Sequence, residues 1–203
     1  MGQVKDILVE WYSTDPQKEE LYFRMPELPL RWVNEGQLRY ADKSELLRGS
    51  WSATVTSGTA SLPSDFLREI PDRVKWDTTT HLYKIDYPTA NLVESWSDTS
   101  YYSIWGNTFY VWAAASGTPT VPYIKKPSVI AIANISTADF DSLFPTEFHH
   151  AVGMYLDSMW LKKLGEYQGS RAMLADFDMI AVQDGQTYRN RRDPVPIMRS
   201  SRF

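Results

Sequence analysis

Few residues in this chain have the types and spacing that chemistry needs. His149 and His150 are adjacent, so on a helix of about 3.6 residues per turn they point about 100° apart. They do not readily share a metal, and no His-Glu-x-x-His accompanies them, so surface or interface histidines are the better reading. His81 falls in a strand-like run with no Ser or Asp at motif spacing, and no nucleophilic triad is read from such scatter. Asp139 and Asp141 have the separation of paired acids, but they sit at a helix start, where carboxylates suit the helix dipole. P-loop, Gly-x-Gly-x-x-Gly and nucleophile-elbow patterns do not occur. The expectation is a chain with no catalytic residue, no cofactor and no metal site, hence not an enzyme; a hydrolase using Asp and His groups is the weakest alternative.

Two sets of residues suit binding instead. From Asp184 to Phe203, Arg189, Arg191, Arg192, Arg199 and Arg202 stand against Asp184 and Asp193. Pro194 and Pro196 forbid a continuous helix there, so 187–203 reads as an extended arm. It fits a solvated tail, a phosphate contact with nucleic acid, or insertion into an acidic groove with ordering on binding. Its Val195, Ile197, Met198 and Phe203 are apolar anchors that a pure phosphate binder lacks, which favours the groove and puts nucleic acid last. The second set is Tyr101, Tyr102, Trp105, Tyr110 and Trp112. Packing on alternating faces of a sheet accounts for about half of it. Stacking on sugars, as in a carbohydrate-binding module, is the other reading, and the spacing does not select it.

The rest of the sequence must position these groups. At 203 residues the default is one domain over 1–203, with room for a small subdomain. Apolar and charged fractions of 43% and 23% are those of a globular protein. The absence of cysteine excludes disulfides, thiolate metal sites and thiol catalysis. A net charge of -4 argues against a basic sheath for nucleic acid. Met1 to Asp6 does not read as a signal segment. No apolar run approaches the roughly 20 residues that span a bilayer, so no membrane partner is expected.

Val4, Ile7, Leu8, Trp11 and Tyr12 form one helical stripe. Ser13 to Pro16 stops that helix and caps the next. Pro29 starts a third, over about Leu30 to Lys43. These make up 1–48. From about residue 50 the period becomes two. Trp51, Ala53 and Val55 face one way, and short strands are expected at Val74–Trp76, His81–Ile85, Tyr101–Trp105, Phe109–Ala113 and Tyr123–Lys125. Ser64 is expected to cap one helical turn carrying Phe66, Leu67 and Ile70. Gly106-Asn107 reads as a two-residue hairpin loop. Closely spaced strands favour an antiparallel sheet or small sandwich over 49–130. Over 131–186 helices return: a capping-box pattern at Ser136–Asp139 that starts a short turn, a long buried helix from Pro145 to Gly165, and a last one capped by Ser170 and ending near Gly185. The fold expected is α+β: a bundle of N- and C-terminal helices, a central antiparallel subdomain and an extended C-terminal arm.

The order of these features carries a resemblance. Leu62-Pro63-Ser64-Asp65-Phe66-Leu67 follows the N-terminal helices. A strand and hairpin with Tyr101-Tyr102 come next, then Tyr123 to Pro127 and two C-terminal helices. This order resembles the head-to-tail adaptor (connector) proteins of short-tailed bacteriophages, the group that includes tail tubular protein A. The resemblance implies a structural virion protein of the neck or tail, assembled in the host cytoplasm. It implies a ring, expected to be dodecameric, that bridges the portal protein to the tail nozzle protein. Double-stranded DNA would pass through without sequence-specific binding. It also implies docking of the C-terminal arm, with Arg189, Arg191, Arg192, Arg199, Arg202 and Phe203, against the portal. Leu62, Pro63, Asp65, Phe66, Tyr101 and Tyr102 would form a structural motif.

Overall fold

Each N-terminal helix forms where its apolar stripe and its caps coincide. The computed structural model describes residues 3–71, 73–77, 79–86, 101–111, 116–145 and 148–192. Helix α1 (Gln3–Tyr12) buries Val4, Ile7, Leu8 and Trp11. Helix α2 (Pro16–Arg24) is capped by Asp15, whose Oδ1 accepts from the Gln17 N–H at 2.8 Å. Helix α3 (Glu27–Ser44) starts three residues earlier than Leu30, because a proline is tolerated in the first turn, where its missing N–H breaks no bond.

The expected capping box at Ser136–Asp139 starts no helix. The chain instead makes a 3-10 turn at Ile132–Asn134. Asp139 caps α1, its Oδ1 accepting from the Gln3 N–H at 2.9 Å. Helix α4 (Phe148–Lys163) is buried along Phe148, Ala151, Val152, Tyr155 and Leu156. It ends in a left-handed Gly165 (φ 85°), with the Glu166 N–H bonded to the Leu161 carbonyl at 2.9 Å, a Schellman arrangement. Helix α5 (Tyr167–Arg192) then returns antiparallel to α4, with Ser158 meeting Ser170 and Tyr155 meeting Phe177.

Three expectations for α5 change. Ser170 lies inside the first turn and is buried, with its carbonyl accepting from Ser158 Oγ at 3.0 Å, so it is not the cap. Gly185 does not end the helix: a Cβ there would stand 2.1 Å from the Ser44 carbonyl oxygen, so its absence lets α5 touch the end of α3. The arm also begins later, because 187–192 are helical. The Tyr40 hydroxyl donates to Asp184 at 2.5 Å and Arg189 to Glu45 at 2.7 Å, which holds these turns against α3. Residues 193–203, with Arg199, Arg202 and Phe203, lie outside the described residues.

The chain divides into two compact units. One comprises Met1–Leu46 with Pro127–Phe203, the other Leu47–Lys126. The second holds two small sheets. Its strands are β1 (Arg48–Ser52), β2 (Thr59–Ser61), β3 (Phe66–Glu69), β4 (Lys75–Trp76), β5 (Thr80–His81), β6 (Tyr83–Lys84), β7 (Tyr101–Trp105), β8 (Thr108–Tyr110) and β9 (Pro119–Lys125). Strand β9 pairs with β1, β3 and β4, and β5 extends from β4; the other sheet runs β2-β8-β7-β6. Val55, Leu62, Phe66, Tyr102, Phe109 and Val121 share its core.

Two corrections apply here. The segment after Ser64 is strand β3 rather than a helical turn. The Phe66 N–H bonds back to Pro63, and the strand then takes up the free edge of β9. Strands β6 and β7 pair in parallel, the other named pairings being antiparallel. The connection from Ile85 to Ser100 has the dozen or more residues that a parallel crossover needs. Gly106 (φ 58°) and Asn107 form the expected two-residue hairpin between Trp105 and Thr108. The fold is mixed α+β, with N- and C-terminal helices packed together and two small sheets between them in sequence.

Replacing Gly185 by alanine drives a Cβ into main chain that cannot step aside. Gly185→Ala should cost about 2–4 kcal/mol by strain, read as a lower midpoint in thermal or denaturant unfolding of the full chain.

Candidate docking site

The expected docking residues meet different fates. Arg189 lies on α5 with its guanidinium 2.7 Å from Glu45 Oε2, so it fastens α5 to the end of α3. Two further residue pairs reinforce that seam. Arg39 grips Asp178 with two bonds of 2.7 Å, and this hydrogen bond, more than any other effect, raises the Arg39 pKa. Tyr40 bonds Asp184. Arg191 and Arg192 are the last two residues of α5, so the root of the arm is held while its far end, 193–203, lies outside the described residues. Sequence reasoning missed Glu45, Asp178 and Asp184, the partners on this seam. Nothing in local spacing pairs residues about 140 positions apart.

The aromatic set separates. Tyr102 is buried and stacks on Phe109 at 5.5 Å, so it is not available to a sugar. Tyr101 lies 6.3 Å from Tyr83. Trp105, at the hairpin tip, is 60% exposed. Trp112 lies outside the described residues. A flat row of stacking rings therefore does not form from Tyr101, Tyr102 and Trp105.

The histidines and acids also separate. On α4, His149 packs 5.7 Å from Phe140, and His150 is exposed. His81 belongs to the other unit. Asp139 caps α1, and Asp141 Oδ1 accepts from the Leu143 N–H at 3.0 Å. Among the described residues no group of three or more His, Asp or Glu is arranged to hold a metal ion.

The segment from Leu62 to Phe66 forms a staple. Leu62 is buried, its N–H bonds the Asn107 carbonyl, and its own carbonyl accepts from Asn107 Nδ2 at 3.1 Å. Pro63 turns the chain so that Asp65 accepts the Tyr123 hydroxyl at 2.9 Å. Phe66 stacks on the Tyr123 ring at 5.4 Å, and the Lys126 N–H bonds the Asp65 carbonyl at 2.6 Å. The Leu-Pro-x-Asp-Phe run and the strand containing Tyr123 are thus two halves of one contact. Between the sheets, Lys84 pairs with the buried Glu69.

Among the described residues these contacts have the character of a scaffold. The family model described as SU10 adaptor protein matches residues 4–197. The chain belongs to that family. It is a family of phage head-to-tail adaptors, so this adaptor is a virion protein that binds other virion proteins. Among curated proteins, none matches the chain. No helix among the described residues of the adaptor is long and apolar enough to cross a membrane.

Burial first, and then the bond to Asp65, push the Tyr123 hydroxyl up to about 12. A pKa raised on folding stabilises the fold below the unfolded value and stops doing so as pH rises through the folded one. This contribution should therefore be intact up to about pH 10 and lost between about pH 10 and 12. In an ultraviolet titration of tyrosinate, Asp65→Asn should shift one tyrosine toward the ordinary range.

Proposed function

We propose that the adaptor forms a ring, dodecameric by its resemblance, in the neck of the particle, joining the portal protein to the tail nozzle protein and enclosing the path by which DNA leaves. The family match over 4–197 carries this reading. Charge agrees with it. The chain is net -4, and a wall that is not basic lets DNA slide rather than holding it by its phosphates. A closed ring needs head-to-tail contacts between unlike faces of identical copies.

In this reading the C-terminal arm docks on the portal. Arg191, Arg192, Arg199 and Arg202 supply cations, and Phe203 an apolar anchor. Arg189 is left out of that set, because its charge is already used on Glu45. Anchoring the root of the arm lowers the entropy lost when its far end binds.

Electron microscopy of the full chain with purified portal protein should show ring-shaped particles seated on the portal. Removal of 193–203 should weaken portal binding about a hundredfold (~2.7 kcal/mol) and leave the thermal unfolding midpoint unchanged, since Arg189 and the α3–α5 seam remain. Equal affinity of the truncated and full chains would rule out the arm as the docking element, and the absence of any ring would rule out the connector reading itself.

A further inference from the structure

Gly153 is the sixth of the sixteen residues of α4, and a glycine inside a helix is unfavourable relative to alanine. Gly36 and Gly185 have steric reasons within the chain: an added Cβ would lie 3.0 Å from the Tyr155 ring and 2.1 Å from the Ser44 carbonyl. At Gly153 an added Cβ would meet nothing within 4 Å. The position opens on a groove of about 460 Å³ between α1 and α4, with Ile7, Trp11 and Met154 in its lining and Glu10 and His150 beside them. The two helices run parallel. Gln3 bonds Asp139 and Phe140, and Phe140 packs on Phe148 and His149 at the start of α4, at 4.8 and 5.7 Å, whereas Trp11 bonds Asp157 further along it. Glu10 and His150 therefore lie toward opposite ends of the groove, with Gly153 between them.

Helix α5 carries a complementary ridge. Ala172, Ala175, Met179 and Val182 follow the 3-4-3 spacing of a helix seam, and all four are exposed, Met179 by 52%. About 3.6 residues per turn places them on the side opposite Phe177 and Ala181, which are fully buried. Exposed Arg171 and Asp176 flank the ridge. Arg171 meets Glu10, and Asp176 accepts from His150, only if this helix lies antiparallel to α4. In that register the small Ala175 faces Gly153.

Ring symmetry requires the same direction. Neighbours in a dodecameric ring differ by a rotation of about 30°, so the α5 of a neighbour stays within that angle of α5 in the first copy. Within one copy α5 is antiparallel to α4. We infer that the α5 ridge of one copy packs into the α1–α4 groove of the next, with Ala175 over Gly153 and Arg171 paired to Glu10. This rests on the ring reading above.

The chain has no cysteine, so an introduced pair reports cleanly. Full-length protein with Gly153→Cys and Ala175→Cys, assembled on purified portal protein and oxidised, should run as a ladder of covalent multimers on a non-reducing gel. Neither single variant should give the ladder. Gly153→Trp fills the groove and should lower ring formation about tenfold or more, with circular dichroism and Tm like the parent's. Intact rings in which the pair stays uncross-linked, or normal rings from a folded Gly153→Trp, overturn the groove assignment and leave the ring reading standing. A parent chain that binds portal without forming a ring overturns both.

Discussion

Tyr40 is the point on which the helical unit depends. Its ring is fully buried and meets Phe144, Phe148 and Phe177 at 5.4, 4.7 and 6.2 Å, all edge-on. Such contacts add about 0.5–1.5 kcal/mol each beyond the burial of apolar area. The same side chain carries a hydroxyl, and a hydroxyl buried without a partner costs about 2 kcal/mol or more. Asp184 supplies the partner, so α5 has to bring Asp184 to α3. The next residue is Gly185, whose missing side chain allows the two backbones to touch. Arg189 then closes on Glu45 one turn further along. One buried ring thus sets where α5 lies and where the arm leaves it.

The sheet unit has a counterpart in Tyr123. Its ring packs on Phe66 and its hydroxyl is bonded to Asp65, while its strand β9 pairs with three others. The central strand, the turn at Pro63 and the edge strand β3 are therefore specified together. In both units an aromatic ring buries area, and its polar tip fixes direction by requiring one acidic partner. That suits a protein that must keep its shape while held by others.

Much of the fold was legible locally. The stripe of α1, the Asp15-Pro16 cap, the Gly165 stop and the Gly106-Asn107 hairpin each depend on a few consecutive residues, and each formed. Misreadings arose where a local signal had two outlets. Ser64 looks like a helix cap, but the free edge of β9 took the segment as a strand. Asp139 looks like the start of its own helix, but the open N-terminus of α1 took its carboxylate. Gly185 looks like a helix stop, but α3 needed the space.

The sequence by itself determined the class of this protein: a mixed α+β chain, without cysteine, whose ordered motifs match a phage adaptor. The fold class follows from composition and periodicity, and the likeness to an adaptor from a resemblance in the order of the motifs. Tertiary structure alone decided that Arg189 is a clamp, that Tyr102 is core, and that Asp65 and Tyr123 form one contact. Each of these depends on residues brought together from 7 to 144 positions apart. Side-chain type cannot say which of several possible partners will be near, because only packing of the whole unit brings one of them within hydrogen-bonding distance.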